Sequence, residues 1–187
     1  VPAMPGVPAE SGERHIAILR DCLVFGHHWY SIRDGDPRAR AMLDRHYSAR
    51  RYKDGRRPRK LVGPGEYIML MTADSSALFV WRKFHSDNGQ EGVNCAVFRN
   101  ERCPVLSSQL IEEACELAWQ RWPGERLYTY VNPKRIKSPN PGYCFKQAGW
   151  TVCGKTKGGL VILERRPKER TITVGKPGTG ERLYADR

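Results

Sequence analysis

The spacing of apolar residues along this chain changes period twice, and the changes mark out its elements. Glu66–Thr72 and Ala77–Phe84 are short runs of bulky apolar residues joined by the turn Ala73-Asp74-Ser75-Ser76. They predict a β-hairpin. A second turn, Ser86 to Gln90, leads to a third strand over Val93–Phe98, so the three strands form an antiparallel meander. From Ser107 to Trp122 the period lengthens to that of a helix, with Leu110, Ile111, Ala114, Leu117, Ala118 and Trp122 on one stripe. A strand over Leu127–Val131 follows, then a short helix ending at the cap Gly149-Trp150, then a strand over Leu160–Leu163. The order β-β-β-α-β-α-β predicts an α/β (α+β) fold on a mixed central sheet. Its one parallel pair forms where strand, helix and strand succeed one another.

Upstream the pattern is less regular. Residues 1–13 carry three prolines and two glycines and read as a flexible arm. Ile16–Leu19 and Leu23–Phe25 are apolar runs open to either a strand or a helix edge. Asp36-Pro37 is a helix start, a capping side chain followed by proline at the first position. That helix is expected to reach Tyr47, with Ala39, Met42, Leu43, His46 and Tyr47 on one side. At the other end Thr171–Val174 suggests an edge strand within a C-terminal extension over 167–187. Gly175-x-x-Gly178-x-Gly180 lacks the Gly-Lys-Ser/Thr order and the following helix of a phosphate loop. The main domain is thus placed at 14–166, with a basic loop at 48–62.

Charge adds a partner to this picture. The chain holds 32 Lys and Arg against 20 Asp and Glu, a net +12. Residues 33–60 alone hold eleven basic residues against four aspartates, a net +7. Within them Arg50, Arg51, Lys53, Arg56, Arg57, Arg59 and Lys60 surround Tyr52. Such a segment can neutralise phosphates and release their counterions, while the aromatic ring stacks on a base. These seven residues, with Arg82 on the hairpin, are the expected contacts to double-stranded DNA. No apolar run approaches the roughly 20 residues that span a bilayer, so no membrane partner is expected. Six cysteines without a CxxC pair point to a reducing, cytoplasmic compartment. His27 and His28 beside Cys22 suggest a metal at first sight, but adjacent strand residues face opposite ways, so none is expected.

Arg102 to Ser108 and Asn140 to Trp150 resemble, with departures, the two signatures of the GNAT acyltransferase superfamily. The family's pyrophosphate turn, Gln/Arg-x-x-Gly-x-Gly/Ala, aligns with Arg102 at its first position, Val105 at its first glycine and Ser107 at its last. The family's tyrosine, which protonates the leaving thiolate, aligns with Phe145, which has no proton to give. Tyr143, Ser138, Tyr130 and Cys144 lie nearby as replacements. Arg45-His46-Tyr47-Ser48, Trp81–Phe84, Phe98–Glu101, Tyr128–Pro133 and Asn140–Phe145 resemble more closely the phage Mom DNA-modification family, over about residues 38–164. That resemblance implies a GNAT-like sheet with a splayed parallel pair. It implies a transferase, phage or prophage encoded, that modifies adenine N6 in duplex DNA with a carbamoylmethyl-type group and so protects it from restriction.

The residues suit that chemistry. Adenine N6 is a poor nucleophile because its lone pair is delocalised, and inside a duplex it must be flipped out to be reached. His46 is the candidate base, having the only side chain that titrates near neutrality. Tyr47 can stack on the base or donate a proton. Arg102, Ser107 and Ser108 are expected at the donor, with Ser107 or Ser108 capping the long helix. Asn132, Ser138, Asn140 and Phe145 come from the strand exit and short helix that flank it. The donor is expected to be acetyl-coenzyme A or another acyl donor, including a glycyl-derived one. A non-catalytic GNAT-like module that binds nucleic acid remains an alternative, as does a conventional N-acetyltransferase of a protein or small-molecule amine.

Overall fold

The computed structural model describes residues 28–47, 49, 52–55, 58–86 and 89–168. The apolar runs at Ile16–Leu19 and Leu23–Phe25, the edge strand expected at 171–174, and Arg50, Arg51, Arg56 and Arg57 lie outside them. Seven strands form one mixed sheet in the order β1-β2-β3-β4-β5-β7-β6. They are β1 (Trp29–Ser31), β2 (Glu66–Thr72), β3 (Ala77–Lys83), β4 (Val93–Asn100), β5 (Leu127–Val131), β6 (Thr151–Lys155) and β7 (Val161–Arg165). The expected meander is β2-β3-β4, and the only parallel pair in this sheet is β4 with β5. The α/β mixed fold read from the sequence is the fold observed.

Helices cover both faces. Helix α2 (Ser107–Arg121) buries Leu110, Ile111, Ala114, Leu117 and Ala118 against Phe79 and Trp81 of β3 and Trp150. Two buried indoles end on its carbonyls: Trp29 Nε1 donates to Leu110 O at 2.8 Å, and Trp81 Nε1 donates to Ala114 O at 2.9 Å. A buried N–H left without a partner would cost about 1–3 kcal/mol, so these bonds fix the height of the helix over the sheet. Helix α3 (Tyr143–Gln147) packs on the same side, with Phe145 in the same core. Helix α1 (Pro37–Asp44) covers the other face, setting Ala39 and Met42 against Met69, Met71, Leu78 and Val80.

Asp36 caps α1 as expected, accepting from Arg38 N and Ala39 N at 2.8 and 3.4 Å. The helix stops at Asp44, three residues before the expected end. His46 N donates to Leu43 O at 2.9 Å, a tight turn that takes His46 and Tyr47 off the helix. Two strands were not read from the sequence. β1 is three residues long, and β6 is an edge strand whose Thr151, Val152 and Cys153 are exposed, so neither carries an apolar alternation.

Candidate functional site

Strands β4 and β5 pair over only three positions, Val93 with Leu127, Asn94 with Tyr128 and Cys95 with Thr129. The register of β4 against β3 shifts just there: Trp81 faces Cys95 and Val80 faces Val97, so Ala96 is an extra residue. A bulge bends its strand and sharpens its twist. Here it turns β4 away from β5 at the point where pairing ends. Thr129 Oγ1 donates to Cys95 O at 3.0 Å and stitches the last paired position. Beyond that stitch the strands open onto a cleft of about 590 Å³.

The cleft draws residues from three places: the turn after α1, the parting strands, and the segment from Asn132 through α3. His46, Tyr47, Tyr130, Ser138 and Tyr143, the expected catalytic residues, all line it, as do Asn132, Asn140 and Phe145. Arg102, Ser107 and Ser108, expected at the donor, are not among its lining residues.

His46 is half-buried. Desolvation, with the Arg99 guanidinium adding to it, pulls its pKa down to about 4, and the Phe98 backbone opposes the shift weakly. The imidazole is therefore neutral at pH 7 and can accept a proton. Its ring lies 4.4 Å from that of Tyr47, tilted by 35°. Burial pushes the Tyr47 phenol up, and the backbone of Asn132 pulls it partly back. Tyr47 and Asn132 line the same cleft from different segments of the chain. Tyr47 and Tyr143 remain 39% and 55% exposed, enough to offer ring faces to a ligand.

The far bank is held by its own side chains. Asn132 Oδ1 accepts from Lys134 N at 3.0 Å, and Ser138 Oγ accepts from Asn140 N at 3.2 Å. Asn140 Oδ1 accepts from Lys146 Nζ at 2.5 Å. These side chains shape the loop as well as facing the cleft. Phe145 is a wall: its ring meets Phe98 and Trp150 edge-on at 5.9 and 5.0 Å.

The turn between β4 and α2 is built differently from the expected phosphate cradle. Leu106 is the N-cap of α2 and makes no side-chain cap bond, so neither Ser107 nor Ser108 caps it. Ser107 Oγ instead accepts from Asn100 Nδ2 at 3.1 Å, and Asn100 Oδ1 accepts from Cys103 N at 2.8 Å. Val105 packs its side chain against the core, and Leu106 stands 72% exposed. Arg102 is exposed, with a left-handed backbone at φ 64°. A coenzyme A pyrophosphate needs glycine here for close backbone approach. These residues do not fit it in the manner of the GNAT turn.

Arg82 lies outside the cleft. Its Nε donates to Pro64 O at 2.9 Å and its guanidinium sits 3.9 Å from the Phe84 ring centre. Lys53, Arg59 and Lys60 are exposed. Arg40 Nη2 donates to Pro58 O and Arg59 O, and Asp34 Oδ1 accepts from Leu61 N at 2.6 Å, so the far end of the basic segment is tied to the domain. His28, considered for a metal, has Nδ1 2.8 Å from Glu113 Oε1.

Several lining residues were missed by sequence reasoning. Cys95 is one of them; Cys144, already named as a replacement for the absent tyrosine, lines the cleft beside it, and burial pushes both thiols up, Cys95 well above its ordinary value. Neither is a thiolate nucleophile. Among the described residues that line the cleft, Arg135 is the one guanidinium and none is a carboxylate. Nothing in the string Asn132-Pro133-Lys134-Arg135 separates the residue that lines the cleft from its neighbours. Among the described residues no helix is long and apolar enough to cross a membrane. No protein-family model, curated protein or solved structure matches the chain.

Proposed function

We propose that this chain is a transferase that modifies N6 of adenine in duplex DNA with an acyl-derived group of the carbamoylmethyl type. One observation carries the reading. A single cleft gathers a neutral imidazole and two partly exposed tyrosine rings, and the most basic stretch of the chain follows His46 and Tyr47 directly in sequence. The parallel pair that parts beside a long helix supports a GNAT-like ancestry.

In this reading the arginine-rich segment holds the DNA backbone, and the target adenine leaves the stack to enter the cleft. Tyr47 and Tyr143 offer faces on which it stacks. N6 attacks an activated carbon of the donor and sheds a proton, which the neutral His46 accepts. The proton of an amine nitrogen that has already attacked is strongly acidic, so a base weakened by burial still serves. The proton for the leaving group comes from Tyr130, Tyr143 or Ser138, since Phe145 has none. The donor carries an activated acyl carbon, so N6 bonds to that carbon as its bond to the carrier breaks. With a glycyl donor the first product is an N6-glycyl adenine, an isomer of the carbamoylmethyl adduct that a rearrangement then completes. The carrier is not taken to be coenzyme A.

Mass spectrometry of nucleosides from DNA of cells making the protein tests this. A new adenine adduct, absent with His46→Ala, is the expected result. Unchanged nucleosides alongside acetylated amines would favour the N-acetyltransferase reading. Unchanged nucleosides with tight DNA binding would favour the non-catalytic module, to which the packed Val105 and Phe145 lend weight.

A further inference from the structure

The bank of the cleft formed by the segment from Asn132 through α3 is strongly unbalanced in charge. From Asn132 to Gln147 the chain carries Lys134, Arg135, Lys137 and Lys146 and no acidic residue. Lys134, Arg135 and Lys137 are exposed. Several arginines elsewhere in the domain are paired with carboxylates: Arg45 and Arg99 on Glu101, Arg121 on Glu66, Arg126 on Glu164. Among the described residues no ion pair ties Lys134, Arg135 or Lys137.

The loop that carries them is also stiff. Pro133, Pro139 and Pro141 fix its backbone, and the side chains of Asn132 and Ser138 close two local turns. Cations on a stiff, acid-free loop repel one another in the free protein, and an anion relieves that repulsion. The arrangement is therefore poised for phosphate.

We propose that the Asn132–Gly142 loop is a second phosphate-binding bank. It grips the DNA backbone at the cleft, next to the base that the target nucleotide presents, and so adds to the contacts expected of the arginine-rich segment. This rests on the DNA-modification reading and adds to it a set of contacts. Arg135, which alone of the three lines the cleft, takes the phosphate nearest the extruded base, and Lys134 and Lys137 take its neighbours.

The experiment is fluorescence anisotropy of the full chain with a duplex oligonucleotide over a range of salt. Lys134→Gln/Arg135→Gln/Lys137→Gln is compared with Lys155→Gln/Lys157→Gln, which removes exposed charge from the β6–β7 turn. Each neutralised phosphate contact should lower the slope of log K against log salt by about 0.9. The triple variant should lose about two to three such contacts and bind at least roughly tenfold more weakly at low salt, with the control close to wild type. Because the loop's side-chain bonds come from Asn132, Ser138 and Asn140, the triple variant keeps them, and a thermal melt checks its fold. Should it unfold, Arg135→Gln alone is read, with a loss of about 0.9 in slope expected. An unchanged slope, or an equal loss in the control, overturns the proposal while leaving DNA binding intact. Loss of binding to duplex RNA with DNA binding retained would assign the loop to RNA and overturn it too. A wild-type chain that does not bind duplex DNA at all would instead overturn the function on which it rests.

Discussion

Arg45 donates from Nε and Nη2 to the two carboxylate oxygens of Glu101, at 2.8 and 2.6 Å. This forked pair joins the turn after α1 to the end of β4. Arg99 adds to it, donating from Nε to Glu101 and from Nη1 to the Arg45 carbonyl at 2.5 and 2.8 Å. Hydrogen bonds from the two guanidiniums hold the Glu101 carboxyl down at about 2, so it is charged at any working pH. The residues next in line after Arg45 are His46 and Tyr47, and the pair fixes where they stand.

Glu101→Gln should therefore leave the fold intact and loosen the site. The pair is solvent-exposed, and exposed pairs contribute little to global stability. The melting temperature should move by only a few degrees, whereas amide exchange at Arg45 to Tyr47 should quicken. Adenine modification should fall by about 10- to 100-fold, as expected when a reacting group is displaced slightly. Unaltered exchange at those amides would mean that the turn is held by something other than this pair.

The depressed pKa of His46 makes stability depend on pH in a definable window. The unfolded chain protonates this residue near 6.5, and the folded chain only near 4. Between those values the unfolded state binds more protons, so stability rises with pH there and is lost as pH falls. Glutamine cannot take up that proton. The gap in melting temperature between wild type and His46→Gln should thus shrink as pH is lowered from 7 to about 4. A gap that stays constant would place His46 in an environment no different from water. Bound DNA should raise the His46 pKa, because phosphate offsets the Arg99 charge, and NMR titration of the imidazole would record it.

Gly142 is where α3 is admitted to the domain. Its φ is +77°, and a Cβ there would lie 2.7 Å from Leu163 Cδ1 and 3.5 Å from Val131 Cγ2. Gly142→Ala meets both a strained backbone and a buried wall, and should destabilise by about 1–3 kcal/mol in urea unfolding. Leu163→Val removes the nearest clashing methyl. The double variant should lose less than the sum of the singles, since the two share one contact. Strict additivity would assign the whole cost to φ.

Much of the fold was legible along the chain because the signals are local. The bounds of β2 and β5 and the start of α2 follow from apolar period and turn residues, and Asp36-Pro37 marks the start of α1 by a cap that needs no distant partner. The strand-helix-strand crossover from β4 to β5 carried the parallel pair with it. Resemblance brought His46, Tyr47, Tyr130, Ser138 and Tyr143 forward, and all five line one cleft.

What the chain alone could not decide depends on register and on empty space. Ala96 becomes a bulge only because β3 pairs on both sides of it, and that bulge parts β4 from β5. The depressed basicity of His46 comes from burial and from Arg99, which is 53 positions away in the chain. Val105 and Ser107 read as parts of a phosphate turn, yet one is spent on the core and the other on Asn100. A residue's type and spacing determine which local structures it can join. Whether its side chain then faces a cleft, a core or a neighbour's carbonyl is decided by contacts between segments far apart in sequence.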